Sequence, residues 1–273
     1  MKIDVNGIRY HVETAGEGEP LLLLHGFTGS GVDWCPLKKE WGDDFKLIMV
    51  DLIGHGNTDH PEDIEQYSME ETAGALDQIM ADLKIESAYV LGYSLGGRVA
   101  LSFAMMYPRR VKHLVLESSS PGLQTAEERN ARRHNDERLA KRIEKDGIRT
   151  FVDFWEAISL FSTQKDQLSE SERKALREKR LHNSEVGLAN SLRGMGTGVQ
   201  RSWWDRLSDF TIPTTLIVGA LDQKFYRIAE DMMQKLPNGK MVVVEEAGHT
   251  THLEQPAQFA KIVEDELHNR KDV

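Results

Sequence analysis

Residues 88–98 read Ala88-Tyr89-Val90-Leu91-Gly92-Tyr93-Ser94-Leu95-Gly96-Gly97-Arg98. An apolar run leads into a serine ringed by glycines. Helical spacing then runs from Leu95 to Tyr107, stopped by Pro108. Gly92-Tyr93-Ser94-Leu95-Gly96 is a G-x-S-x-G pattern, and strand, motif and helix come in the order that gives the pattern meaning. The glycines fit a turn so sharp that neighbouring side chains would collide. Such a turn lifts the serine hydroxyl out at the C-terminal edge of a parallel sheet, where open α/β folds bind ligands.

Strand and helix signals alternate on both sides of this turn. Asn6-Gly7 between Ile3–Val5 and Ile8–Val12 predicts a hairpin. Leu21–Leu24 reads as a strand buried on both faces and ends at His25-Gly26. Lys46–Val50 is a strand. Met69–Leu83 is a helix with Ser68 and Glu71 spaced as a capping box. Strands follow at Val111–Leu116, Thr215–Val218 and Met241–Val244, and helices at Ala229–Lys235 and Ala257–Leu267. The alternation predicts an α/β fold: a mostly parallel central sheet with helices on both faces. Between Pro121 and Gln200 the rhythm breaks into charged helical spacing without strands. The expected organisation is a core of residues 1–120 and 201–273 carrying a helical cap insertion, 121–200.

A serine hydroxyl needs a general base, and the base needs an acid to orient it. His249, in Ala247-Gly248-His249, follows the last strand. Asp222 follows the strand ending at Val218. Both therefore emerge at the same sheet edge as Ser94, in the chain order Ser, Asp, His expected for such a turn. Ten histidines compete. His252 leads into the closing helix and is expected to face away, while His25, His55 and Asp51 are expected to shape their loops. The backbone N–H of Leu95, and that of Phe27 in the His25–Gly29 loop, are the expected oxyanion-hole donors.

Bulk properties narrow the class. The net charge of −10 argues against general nucleic-acid binding. Yet residues 121–201 carry 16 Lys and Arg against 13 Asp and Glu, so the cap is basic on an acidic protein. The single cysteine, Cys35, excludes an intramolecular disulfide. The N-terminal residues lack a signal-peptide pattern, and no apolar run is long enough to span a bilayer, so a cytoplasmic enzyme is expected. No metal-ligand cluster is visible, no cofactor is called for, and no obligate protein partner is evident.

His25-Gly26, Gly54-His55-Gly56, the Ser94 elbow, Asp222 and Gly248-His249 together resemble the α/β-hydrolase superfamily. That superfamily hosts many reactions, so the pocket must decide among them. Arg98 lies one helical turn beyond Ser94, a position suited either to a structural ion pair or to a carboxylate clamp. With Arg98, the segments Ser120-Pro121-Gly122-Leu123, Glu128-Arg129, Arg132, Phe154-Trp155 and Gly187–Gly198 resemble a narrower family. Its members are the menaquinone-pathway synthases that make 2-succinyl-6-hydroxy-2,4-cyclohexadiene-1-carboxylate. The resemblance implies a lyase that eliminates pyruvate from a small poly-anionic carboxylate. It also implies substrate contacts from Tyr93, Arg98, Arg132, Trp155 and Arg180, with Arg177 and Lys179 as alternatives to the last. A carboxylesterase or C–C bond hydrolase using the same triad is the competing expectation. A pure binding protein has no need of all three triad members, and a serine at the elbow disfavours a haloalkane dehalogenase.

Overall fold

Leu21 and Leu23 pack into one hydrophobic core and Leu22 and Leu24 into another, all four fully buried. A strand covered on both faces must divide its side chains in this way. In the computed structural model, which describes residues 1–42 and 44–268, this strand is the third of eight. They are β1 (Lys2–Val5), β2 (Ile8–Ala15), β3 (Glu19–Leu24), β4 (Phe45–Val50), β5 (Ala88–Tyr93), β6 (Val111–Glu117), β7 (Thr214–Gly219) and β8 (Gly239–Val244). The helices are α1 (Lys38–Trp41), α2 (Met69–Asp82), α3 (Leu95–Met106), α4 (Ala126–Glu156), α5 (Gln164–Gln167), α6 (Glu170–Leu181), α7 (Glu185–Met195), α8 (Gln223–Met233), α9 (Thr251–Glu254) and α10 (Pro256–His268). The final residues of the expected core span, 269–273, lie outside the described residues.

The strands form one sheet in the order β1-β2-β4-β3-β5-β6-β7-β8. The β1–β2 and β2–β4 pairs are antiparallel and the others are parallel. Asn6 and Gly7, with φ of 54° and 83°, make the hairpin turn between β1 and β2. β3 lies between β4 and β5, so the strand order reverses there. That reversal opens a crevice beyond the C-terminal ends of β3 and β5.

No strand interrupts residues 126–195, where α4 to α7 lie. α4 is two helices meeting at Gly147, whose φ of 80° breaks the spiral; the next amide, Ile148 N–H, donates instead to Glu185 Oε1 at 2.9 Å. These helices bury a small core of their own, built on Ala140, Ile143, Phe151, Val152, Leu188, Ala189 and Leu192.

Some local expectations shift. Ser68 Oγ accepts from Glu71 N–H at 3.2 Å, the forward half of the capping box. α8 begins at Gln223 rather than Ala229, because the Asp222 side chain caps it. The turn at Gly31–Leu37 and α1 carried no helical signal, interrupted as they are by Pro36, yet they bury Trp34 and Trp41. Among the described residues no helix is long and apolar enough to cross a membrane.

Candidate active site

Ser94 joins β5 to α3 with φ 50° and ψ −106°, a backbone that an L-residue adopts only at a cost. The surrounding glycines are required by contact. A Cβ on Gly92 would meet the Gly96 carbonyl oxygen at 2.3 Å, and one on Gly96 would meet the Leu24 oxygen at 2.1 Å. The elbow is held by the Ser94 N–H, which donates to Glu117 O at 2.9 Å, and by Ser119 Oγ, which donates to Ser94 O at 3.1 Å.

Ser94 Oγ–H donates to His249 Nε2 at 3.1 Å, and His249 Nδ1–H donates to Asp222 Oδ2 at 2.7 Å. The other Asp222 oxygen accepts Phe225 N–H at 3.2 Å, so one carboxylate caps α8 and orients the imidazole. His249 is buried, with the Phe225 ring 4.6 Å away and the Tyr93 ring 5.4 Å away. The arrangement can move a proton from the serine hydroxyl onto an imidazole whose positive charge the aspartate stabilises.

Two buried glutamates fix the loop that carries His249, and sequence reasoning did not single out either. Glu254 accepts from Gly248 N–H at 2.7 Å, Thr250 N–H at 3.1 Å and Thr250 Oγ1–H at 2.6 Å. Glu117, at the end of β6, accepts from Thr251 Oγ1–H at 2.7 Å, His252 N–H at 3.0 Å and His252 Nδ1–H at 2.8 Å. His252 therefore faces Glu117 rather than Ser94. Tyr93 lies between the two histidines; burial, and then the charge of Glu117, raise its pKa well above the usual phenol value.

Gly29 N–H donates to Gly26 O at 3.0 Å, closing a turn in which Thr28 takes φ 69°. Phe27 projects from this turn. Leu95 opens α3, where backbone amides have no acceptor within the helix. Both residues line the same cavity as Ser94 and His249. His25 supports the turn from behind, donating through Nδ1 to Gly26 O at 2.8 Å and accepting Leu52 N–H at Nε2 at 2.9 Å. Asp51 accepts from Gly31 N–H at 2.6 Å and Asn57 N–H at 2.8 Å, and His55 holds Ile53 O at 3.0 Å.

The cavity over Ser94 has a volume of about 560 Å³, and Tyr93, Arg98, Arg132 and Trp155 are in its wall. Arg98 Nη1 donates to Met195 O and to Gln200 Oε1, both at 2.7 Å. Burial, followed by the like charge of Arg132, lowers its pKa to about 9, with Asp136 opposing. Arg132 Nε donates to Asp136 Oδ1 at 2.7 Å. Burial outweighs both arginines at Asp136 and raises its pKa. The Trp155 ring meets Phe27 and Phe161 edge to face at 5.3 and 5.7 Å, and its buried indole N–H has no partner among the described residues.

Arg180, the remaining expected substrate contact, lies behind the Phe161 ring that lines the cavity. It is buried off the cavity wall, donating to Glu156 Oε1 at 3.3 Å with its guanidinium 5.1 Å from the Phe161 ring. An unpaired buried guanidinium is costly, and Glu156 on α4 supplies the counter-charge. The alternatives lie elsewhere too: Arg177 pairs with Asp153 and Glu156, and Lys179 with Asp33. Lys224, two residues past Asp222, lines the cavity and was missed; its position after a strand end was the available signal. Among the described residues the cluster with metal-ligand spacing, Asp44, Glu264 and His268, lies outside this cavity.

Residues 19–256 match the α/β-hydrolase fold family. The chain is 46% identical, over 96% of both chains, to a Bacillus subtilis (strain 168) protein provisionally named 2-succinyl-6-hydroxy-2,4-cyclohexadiene-1-carboxylate synthase. It is 32% identical to the Citrobacter koseri synthase of that name, over 89% of this chain and 93% of the relative. The solved structure of MenH from S. aureus superimposes with a TM-score of 0.91 at 32% identity, covering 96% of this chain and 98% of that one. With its elbow, sheet order and cap, the chain belongs to the α/β-hydrolase fold family and, within it, to the family of 2-succinyl-6-hydroxy-2,4-cyclohexadiene-1-carboxylate synthases.

Proposed function

We propose that this chain is a lyase of menaquinone biosynthesis. It eliminates pyruvate from 2-succinyl-5-enolpyruvyl-6-hydroxy-3-cyclohexene-1-carboxylate to give 2-succinyl-6-hydroxy-2,4-cyclohexadiene-1-carboxylate. The observation that carries the reading is the joining of a hydrogen-bonded Ser94–His249–Asp222 line to a cavity walled by Arg98 and Arg132. A substrate with three carboxylates suits such a wall, since each charge-assisted hydrogen bond contributes about 1.5–3 kcal/mol.

In this reading Ser94 Oγ takes the ring proton beside the succinyl carbonyl while its own proton passes to His249. The electron pair moves onto the carbonyl oxygen, which the Phe27 and Leu95 amides stabilise as an enolate. The pair then returns through the ring double bond and breaks the C–O bond to the enolpyruvyl group. Enolpyruvate departs, takes back one proton and becomes pyruvate, so proton and charge balance. Tyr93 and Trp155 border the substrate, and Arg98 and Arg132 hold its carboxylates. No metal or organic cofactor enters these steps. The setting is cytoplasmic, the only ligand is the small anion, and neither nucleic acid, membrane nor an obligate protein partner takes part.

The same serine, imidazole and amide donors suit acyl transfer, which keeps a carboxylesterase or C–C bond hydrolase as the second reading. One coupled assay separates them. The enolpyruvyl substrate is generated in place by the preceding enzyme, and pyruvate release is followed beside hydrolysis of p-nitrophenyl acetate. Fast pyruvate release with weak ester hydrolysis is expected. Fast ester hydrolysis with no pyruvate above background would overturn the lyase reading.

A further inference from the structure

Lys224 occupies a position that is electrostatically unfavourable within the protein. It is in the first turn of α8, where the helix dipole disfavours positive charge. Partial withdrawal from water, and then the like charge of Arg132, lower its pKa, with Asp222 opposing. Among the described residues it makes no ion pair; its Nζ lies only over the neighbouring Phe225 ring, at 5.3 Å. Arg132 approaches from the cap on α4 and spends Nε on Asp136, leaving its terminal nitrogens available. Glu128 and Asp231 also line the cavity, and neither pairs with Lys224. A side chain disfavoured twice, offset in part by Asp222 and the Phe225 ring but given no ion pair among the described residues, points to a ligand that completes the compensation.

We infer that Lys224 on the core and Arg132 on the cap form the two jaws of a carboxylate clamp at the cavity. The inference deepens the substrate reading above and rests on it: three cations, Arg98, Arg132 and Lys224, face a substrate with three carboxylates. One carboxylate held between the jaws relieves their repulsion and ties cap to core over Ser94. A ligand with a single carboxylate engages Arg98, which is fixed to the elbow helix, and leaves the clamp empty.

The test measures binding without turnover. Isothermal titration with 2-succinylbenzoate, an aromatic analogue carrying the ring and succinyl carboxylates, is compared with benzoate for the wild type, Lys224→Met, Arg132→Met and the double variant. Lys224→Met is expected to weaken 2-succinylbenzoate by about 10-fold and benzoate by less than about 2-fold. The double variant is expected to lose less than the product of the two single losses, because one anion serves both jaws. Lys224→Arg is expected to restore most of the affinity. The ligand-free Lys224→Met protein is expected to melt higher by roughly 1–3 °C, since repulsion and dipole conflict are both relieved. An unchanged affinity for 2-succinylbenzoate, equal losses for both ligands, or a lowered melting temperature would each overturn the clamp. Failure of the two readings is distinguishable: no pyruvate release with these binding results intact sinks only the elimination chemistry, whereas pyruvate release with unaltered Lys224→Met binding sinks only the clamp.

Discussion

Arg98 Nη1 lies 2.7 Å from Gln200 Oε1, so a neutral amide, with the Met195 carbonyl, fixes the guanidinium without neutralising it. The positive charge therefore remains available to a ligand. Arg98→Ala is expected to raise KM for the enolpyruvyl substrate by roughly 10- to 100-fold, with a smaller effect on kcat. Gln200→Glu introduces a competing carboxylate and is expected to raise KM in the same direction while keeping the arginine in place. Wild-type KM in both variants removes Arg98 from the binding role; steady-state pyruvate release is the measurement.

The Ser94–His249–Asp222 line predicts losses in turnover rather than in affinity. Ser94→Ala is expected to abolish pyruvate release while 2-succinylbenzoate still binds by calorimetry. Asp222→Asn favours the wrong imidazole tautomer and is expected to lower kcat by roughly 10⁴-fold. Full activity without the serine hydroxyl would end the proposed proton path.

Glu117 accepts two bonds from His252 and one from Thr251, and it is fully buried. Glu117→Leu leaves His252 without its acceptor and is expected to cost about 3–5 kcal/mol of stability. Glu117→Gln keeps the shape and is expected to cost less. Urea unfolding measures both, and kcat should fall further than KM rises, because the loop after Gly248 carries His249. Equal stabilities for wild type and Glu117→Leu would show that the pair does not support the loop.

His55 is buried, and its pKa falls from 6.5 to about 3, first through loss of water and then through the neighbouring His25 ring. It is neutral in the folded protein, whereas the unfolded chain takes up a proton below pH 6.5. Stability is therefore complete above about 6.5 and declines as pH falls toward about 3, by about 1.4 kcal/mol per pH unit from this residue. The unfolding free energy of wild type should fall relative to that of His55→Phe by about 0.7 kcal/mol from pH 7 to 6 and by about 1.2 kcal/mol from pH 6 to 5. Parallel slopes would show that the fold does not depress the His55 pKa.

Most of what was legible was local. Leu21–Leu24 and Gly92–Gly97 carry their structural reasons in neighbouring residues: a strand must alternate and an elbow must avoid a Cβ. Contacts between distant segments were not. Glu117 meets His252 from 135 positions away, and nothing near Glu117 in the chain marks a buried carboxylate. Arg180 reads as one of several basic residues on α6 until the fold brings Glu156 and Phe161 to it. α8 starts early because a triad residue doubles as its cap, a dual use that apolar periodicity does not register.

The helices above Ser94 enclose seven apolar residues of their own, apart from the two larger cores flanking the sheet. Substitutions among those residues therefore reach the cavity wall first, through the Phe27 and Trp155 rings that pack against them. A lineage can reshape that wall, and with it the clients admitted, while the strands β5 and β7 that lead to Ser94 and Asp222 keep cores of their own. That division of labour lets one scaffold diversify without first having to reinvent its reaction centre.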